Sequence, residues 1–190
     1  MVNLSDRELS REIIEACRLG DRDAFRALYD SYKDRVYSIA LYFFHGDPAI
    51  ASDVTQQVFL KLMTSIRQFR GDAELTTWLY RLVVNACLDT ARSRRPDAVT
   101  SDRSRMEAVA VPGSQETDYA RAQMASSVRA AVSALPPKFR IAVLLRYFED
   151  LSYEQMAKAL GCSMGTVASR LSRGHKMLAE RLKSVMGAKR

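Results

Sequence analysis

Cysteine is scarce and histidine scarcer. The three cysteines, Cys17, Cys87 and Cys162, are odd in number, far apart, and sit in no C-x-x-C or Cys/His spacing. That pattern excludes a disulfide framework, offers no metal site and fits a reducing compartment. The two histidines, His45 and His175, belong to neither an H-E-x-x-H nor a Ser-His-Asp pattern, and the eight glycines form no phosphate-binding loop. No catalytic residue, no cofactor and no enzymatic activity are therefore expected; both histidines read as surface residues. Long apolar runs are also missing: nowhere do about 18 apolar residues follow one another, and the opening MVNLSDRELSREII is polar, without the apolar core of a signal peptide. A soluble, cytoplasmic protein with no membrane partner is expected. No segment alternates apolar and polar residues as a half-buried strand does, and there is no internal repeat or low-complexity tract. The fold class that remains is all-α.

What is present is an ordinary globular balance, 47% hydrophobic and 27% charged residues in 190, enough for two small domains. The formal net charge is +7, and its placement is informative. Residues 1–96 carry 14 Lys/Arg against 13 Asp/Glu, 97–117 carry two against four, and 118–190 carry 13 against five. Within 170–190, Arg170, Arg173, Lys176, Arg181, Lys183, Lys189 and Arg190 face only Glu180. A concentrated basic segment points to an acidic partner, although a solvated helix end has the same composition.

The helical period can be followed along the chain. Ser5 and Glu8 form a capping box for a short first helix carrying Leu9, Ile13 and Ala16, with Gly20 as terminator. From Asp23, Phe25, Leu28, Tyr29, Tyr32, Val36, Ile39, Ala40 and Phe43 recur at three- and four-residue steps, and His45-Gly46 ends the stripe. Asp47-Pro48 restarts the chain as N-cap and first helical position, and Ile50, Val54, Val58, Leu62 and Ile66 follow before Gly71. Thr76 or Thr77 is expected to cap a fourth helix running to about Arg95, closed by Pro96. Residues 97–117 lose the period and gain Ser, Asp, Pro and Gly, the composition of a flexible linker. The expected architecture is thus an N-terminal helical bundle over 1–96, the linker 97–117, and a C-terminal domain over 118–190. That last domain begins with a helix at about 118–134, broken by Leu135-Pro136-Pro137, then a helix through Ile141, Leu144, Leu145 and Phe148, then two short helices around Gly161.

The last two helices carry chemistry. In LSYEQMAKALGCSMGTVASRLSRGHKML, Ser152 and Gln155 make a capping box, Met156, Ala157 and Leu160 an apolar face, and Gly161-Cys162-Ser163 a tight turn. Ser163 is placed to cap the next helix, where Val167 and Leu171 point inward and Thr166, Ser169, Arg170 and Arg173 point outward. Such a helix-turn-helix offers small hydroxyl groups to base edges and phosphates, and arginines to guanines and backbone. The motif specifies a docking mode and fits many classes of regulator.

The N-terminal half narrows the class. DVTQQVFLKLM (Asp53 to Met63), FRGDAELTTWLYRLVVNACLD (Phe69 to Asp89), a linker and DLSYEQMAKALGCSMGTVASRLSRG together resemble the extracytoplasmic-function (ECF) group of bacterial sigma factors, over about 22–96 and 118–180. Several linked motifs in order are far more specific than any one of them. The resemblance implies a protein that binds core RNA polymerase and directs promoter recognition, DNA melting and initiation at a specific regulon. It implies that Asp53, Gln56, Gln57 and Leu60 contact a coiled coil of the largest polymerase subunit; Gln57 stands where the family usually has Glu. It implies that the segment from Phe69 to Arg95 holds the melted minus-ten element. Single-stranded DNA needs aromatic platforms, polar readers and a basic track, which Phe69, Trp78 and Tyr80, Thr77 and Asn85, and Arg70, Arg81, Arg92, Arg94 and Arg95 supply. Trp78 is also a core candidate, as a lone Trp near a helix start commonly is. For the duplex minus-thirty-five element the implied contacts are Ser163, Thr166, Ser169, Arg170 and Arg173; Ala168 replaces the Arg or Lys of many members. An anti-sigma partner is expected too, because family members are commonly held inactive by one. Two other readings use the same residues: a free-standing regulator with 1–96 as sensor or dimerisation domain, and a helical scaffold that binds protein only. Dependence on polymerase for promoter binding separates the first of these from a sigma factor.

Overall fold

The computed structural model describes residues 4–69, 74–94 and 115–187, with side chains described over 12–69, 74–94 and 123–183. Every described element is helical. Helix α1, Leu4–Leu19, is longer than the short helix expected and begins one residue before Ser5, whose side chain lies outside those described. Gly20, at φ +89, ends it. Helix α2, Arg22–Phe43, starts on the carboxylate of Asp21, which accepts from the N–H groups of Asp23 (2.8 Å) and Ala24 (3.0 Å). Such a cap satisfies donors that have no partner within the helix. Helix α3, Pro48–Ser65, follows the turn at His45-Gly46. Asp47 accepts from the N–H of Ile50 at 3.0 Å, and Pro48 occupies the first turn, as the sequence predicts. A single 3-10 turn, Ile66–Gln68, follows.

Helix α4, Leu75–Ser93, begins earlier than expected. Glu74 is its N-cap residue, without a side-chain cap, so Thr76 and Thr77 lie inside the first turn. Helix α5, Gln115–Ser133, also starts early: residues 115–117, assigned by composition to the linker, are helical, and 97–114 lie outside the described residues. Helix α6, Pro137–Tyr147, begins just after Pro136. Helices α7, Tyr153–Leu160, and α8, Met164–Gly187, complete the chain.

In the N-terminal half, α2, α3 and α4 pack through Val36, Ile39, Phe43, Val54, Val58, Leu62 and Val83, all buried. Fully burying each large aliphatic or aromatic side chain contributes about 1.5–3 kcal/mol. In the C-terminal half α6, α7 and α8 enclose Ile141, Leu144, Leu145, Met156, Val167 and Leu171. Gly174 lets α8 lie close on α6, because a Cβ there would stand 3.2 Å from Cγ2 of Val143.

The two halves also pack on each other. Helix α4 lies along α7 and α2 against α6, and the buried residues of both halves form one continuous cluster. The linker composition had suggested independent units. Instead, the inward faces of α4 and α6 meet across the boundary.

Candidate polymerase and nucleic-acid interfaces

On α3 the apolar stripe turns Val54, Val58 and Leu62 inward, which leaves Asp53, Gln56, Gln57 and Leu60 on the outer face. All four are exposed, Leu60 to 52%. Met63, one turn beyond Leu60, is 54% exposed. Sequence reasoning passed over Met63, although its three-residue step from Leu60 on a polar face marks it. Next to this face Tyr29 and Phe59 meet edge to face with centroids 4.7 Å apart. Their rings line a groove of about 530 Å³ that also involves Tyr37, Gln56, Leu60 and Met63. Large apolar side chains grouped in the open beside amides and a carboxylate are the makings of a protein-docking surface.

The residues expected at the minus-ten element divide into two sets on α4. Arg81, Asn85 and Arg92, at steps of four and seven, lie together on the solvent side. Arg92 pairs with Asp89 and donates through Nε to the Leu88 carbonyl at 3.3 Å, an arrangement on an exposed helix worth about 0.3–0.5 kcal/mol and easily exchanged for a phosphate. Thr77 points the other way and is 3% exposed, because it shares the inward face with Tyr80 and Val84, three and seven residues on. It has no surface to offer a base in this conformation, and neither has Tyr80. Phe69 is buried as well, its ring 5.2 Å from that of Trp78. Trp78 is half-buried and packs on the core, leaving part of the indole accessible. Arg70 and Arg95 lie outside the described residues; Arg94 is exposed at the end of α4.

The caps and turn of the helix-turn-helix stand where the sequence predicts, but only α7 is short: α8 runs on for 24 residues, where a second short helix was expected. The Ser152 hydroxyl accepts from the N–H of Gln155 (3.2 Å) while Oε1 of Gln155 accepts from the N–H of Ser152 (2.9 Å). Gly161 supplies the left-handed turn at φ +60, a conformation costing an L-residue with a Cβ about 1–2 kcal/mol. Ser163 then caps α8, accepting from the N–H of Thr166 at 3.2 Å, with the two hydroxyls 3.0 Å apart. The Ser169 hydroxyl donates to the Thr166 carbonyl at 2.9 Å. The Ser169 hydroxyl is thus committed to the helix and presents acceptor lone pairs, while one hydroxyl of the Ser163–Thr166 pair keeps its O–H free to donate. Arg170 is partly exposed and Arg173 exposed, and neither makes an ion pair among the described residues. Val167 and Leu171 are buried beneath.

Cys17 and Cys87 are buried, and burial pushes the Cys87 thiol up to about 12. Among the described residues no group of three or more His, Cys, Asp or Glu could hold a metal ion. None of the described helices is long and apolar enough to cross a membrane.

Comparison with known proteins places both halves. Sigma-70 region 2 matches residues 28–96 and Sigma-70 region 4 matches residues 125–178. The RNA polymerase sigma-H factor of Pseudomonas aeruginosa is 32% identical over 188 residues, covering 95% of this chain and 97% of that protein. The ECF RNA polymerase sigma factor SigW of Bacillus subtilis is 28% identical over 180 residues, covering 90% and 96%. Among solved structures, CnrH in complex with the cytosolic domain of CnrY shares the fold, with a TM-score of 0.68 at 22% identity over 92% of this chain and 97% of that one. RpoE of Bartonella quintana, solved with the anti-sigma factor NepR, has a TM-score of 0.62 at 24% identity, over 84% and 96%. With both sigma regions in order, a helix-turn-helix at the second, and full-length relatives of the same class, the chain belongs to the ECF sigma factors, transcription initiation factors that recognise promoters.

Proposed function

We propose that three separate faces divide the work of initiation, none of them catalytic. The outer face of α3, with Asp53, Gln56, Gln57 and Leu60, docks on core RNA polymerase. Exposed Met63 and the groove floored by Tyr29 and Phe59 extend it. Arg81, Asn85 and Arg92 track the melted minus-ten strand, together with Arg70. An Asn amide is suited to a base edge and the arginines to phosphates. Trp78 offers the stacking surface, Phe69 holds its ring from beneath, and Thr77 helps seat α4 on the core. At the minus-thirty-five duplex Arg170 and Arg173 make the base and phosphate contacts, while Ser163, Thr166 and Ser169 position the recognition helix and contribute acceptors.

The working units are 1–96 and 118–190, joined through 97–117. The protein acts in the cytoplasm, where its polymerase and promoters are, and is restrained by an anti-sigma protein; the related RpoE was solved bound to one. The observation that carries the reading is the exposed recognition face of α8, where two arginines without an ion-pair partner among the described residues stand over a buried Val167–Leu171 seam. The experiment is co-purification with bacterial core RNA polymerase by size exclusion, followed by run-off transcription from a pool of genomic promoters. Stable association with selective initiation is expected, and it yields the promoter sequence. Tight binding of the chain alone to duplex DNA, without association with core, would refute it.

A further inference from the structure

The side of α8 that meets solvent is set by what the helix buries. Val167, Leu171 and Gly174 are turned inward, against α6 and α7. At about 3.6 residues per turn, Ser169, Ser172, Arg173 and Lys176 fall within roughly 60° of the direction opposite that seam, and Arg170 is turned roughly 110° from it. Exposure divides the helix in the same way. Ser169, Ser172, Arg173 and Lys176 are exposed, whereas Thr166, Ala168 and Arg170 are half-buried. The ridge that leads into a duplex therefore runs through Ser169, Ser172 and Arg173, with Arg170 on its flank, and Ser172 belongs to it.

Ser172 differs in chemistry from the serine before it. The Ser169 hydroxyl donates to the Thr166 carbonyl, as the hydroxyls of Ser31, Ser65 and Ser127 donate to carbonyls four residues back in their own helices. The Ser172 hydroxyl has no hydrogen-bond partner among the described residues, so its O–H and its lone pairs are both open to a ligand. Ala168 stands four residues earlier. Side chains at that step are neighbours, with Cβ atoms about 5–6 Å apart, and each leans toward the start of the helix. The pair thus presents a hydroxyl donor beside a methyl group. Arg173 and Lys176 border it without an ion pair among the described residues, which leaves their charges for the phosphates that fix a recognition helix in register.

One base edge matches a donor beside a methyl. In the major groove thymine offers the O4 acceptor next to its C5 methyl, whereas cytosine offers the N4 donor and no methyl, and neither purine carries a methyl. We propose that Ser172 and Ala168 read a T·A base pair of the minus-thirty-five element, the hydroxyl donating to thymine O4 while the Ala168 methyl packs on the thymine methyl. The assignment rests on the minus-thirty-five reading of α8 above. It also gives Ala168 a purpose, since a long cation at that position would lie where the thymine methyl comes to rest.

The test uses holoenzyme assembled from the full chain and core polymerase, on duplexes carrying the promoter sequence obtained by run-off transcription. Each base pair of the minus-thirty-five element is changed in turn, and each thymine is separately replaced by uracil, which removes only the methyl. Affinity is read by fluorescence anisotropy. At one T·A pair, uracil should weaken wild-type binding up to about fourfold, the worth of one buried methyl. Ser172→Ala should bind the unaltered duplex about two- to tenfold more weakly, as expected for one lost hydrogen bond. Its discrimination should narrow at that pair and at no other, with core association unchanged and a urea midpoint no lower than that of wild type. Ala168→Gly should bind the thymine and uracil duplexes equally. Discrimination in Ser172→Ala that is unchanged throughout, or narrowed only at a pair other than T·A, would overturn the assignment, as would a wild type indifferent to uracil at every position. Arg173→Ala separates the two levels of failure. If it weakens duplex binding while Ser172→Ala does not, the minus-thirty-five reading stands and the Ser172–Ala168 assignment falls; if neither weakens it, both fall.

Discussion

Replacing Arg140 with alanine should be among the most destabilising single changes available in this chain. The substitution removes the donor to three backbone carbonyls, those of Phe43, Ser133 and Leu135, and leaves a void where the guanidinium lay 5.3 Å from the Phe43 ring. An unsatisfied buried acceptor costs about 1–3 kcal/mol, so three set a gross loss of roughly 3–9 kcal/mol. Two effects offset part of it. The charge no longer has to be desolvated, which returns up to several kcal/mol, and a truncated side chain lets water reach carbonyls at helix ends. A net loss of about 3 kcal/mol is expected, the low end of that gross range. The assay is urea unfolding by circular dichroism, with the midpoint and slope compared between variants. Arg140→Lys should fall between wild type and alanine, because an ammonium satisfies one carbonyl well but cannot fork across two helix ends. Arg140→Met, which refills the volume without a charge, should recover part of the alanine loss. A cost for Arg140→Ala below about 0.5 kcal/mol, the range of ordinary surface changes, would refute the cap-and-bridge role.

Three more outcomes are expected. Arg170→Ala should weaken binding of holoenzyme to the minus-thirty-five duplex by roughly 1–3 kcal/mol while core association is unchanged; equal loss of both would remove Arg170 from the DNA face. Asp53→Ala should do the reverse, and normal holoenzyme assembly at limiting concentration, measured by size exclusion, would count against the α3 docking face. Burial first, and then the neighbouring Arg140 charge, hold the His45 imidazole below its usual value. The folded chain thus takes up its proton less readily than the unfolded one, so the stability this group contributes is present above its unfolded pKa near 6.5 and is lost as pH falls through the lower folded value. His45→Asn should flatten that component of the unfolding free energy between about pH 7.5 and 5. Asn also tolerates the left-handed backbone that His45 adopts at φ 62. An unchanged pH profile in the variant would assign the dependence elsewhere.

Much of the local structure was legible because its causes are local. Asp47-Pro48 at the start of α3, the Ser152–Gln155 box on α7, Gly161 in the turn and Ser163 capping α8 each act within four residues, and each stands where the sequence placed it. The start of α4 was less legible, since Glu74 begins that helix without a side-chain cap and the threonines two and three residues on carried the stronger capping signal. That shift turned Thr77 inward. The site divided along the same line. Arg81, Asn85 and Arg92 share the solvent face that their spacing predicts, whereas the depth of Phe69, Thr77 and Tyr80 depended on what packs against α4.

Sequence alone therefore determined the all-helical class, the order of the two sigma regions and the recognition helix, for which periodicity, caps and motif order suffice. Only the tertiary structure decided that the halves close on each other, that Tyr80 faces Glu149 across 69 residues and that Arg140 reaches Phe43 across 97. A lone arginine among apolar residues carries no periodic or spacing signal for a carbonyl so far away; its partner is set by the summed packing of α2, α5 and α6, which no short window of sequence contains.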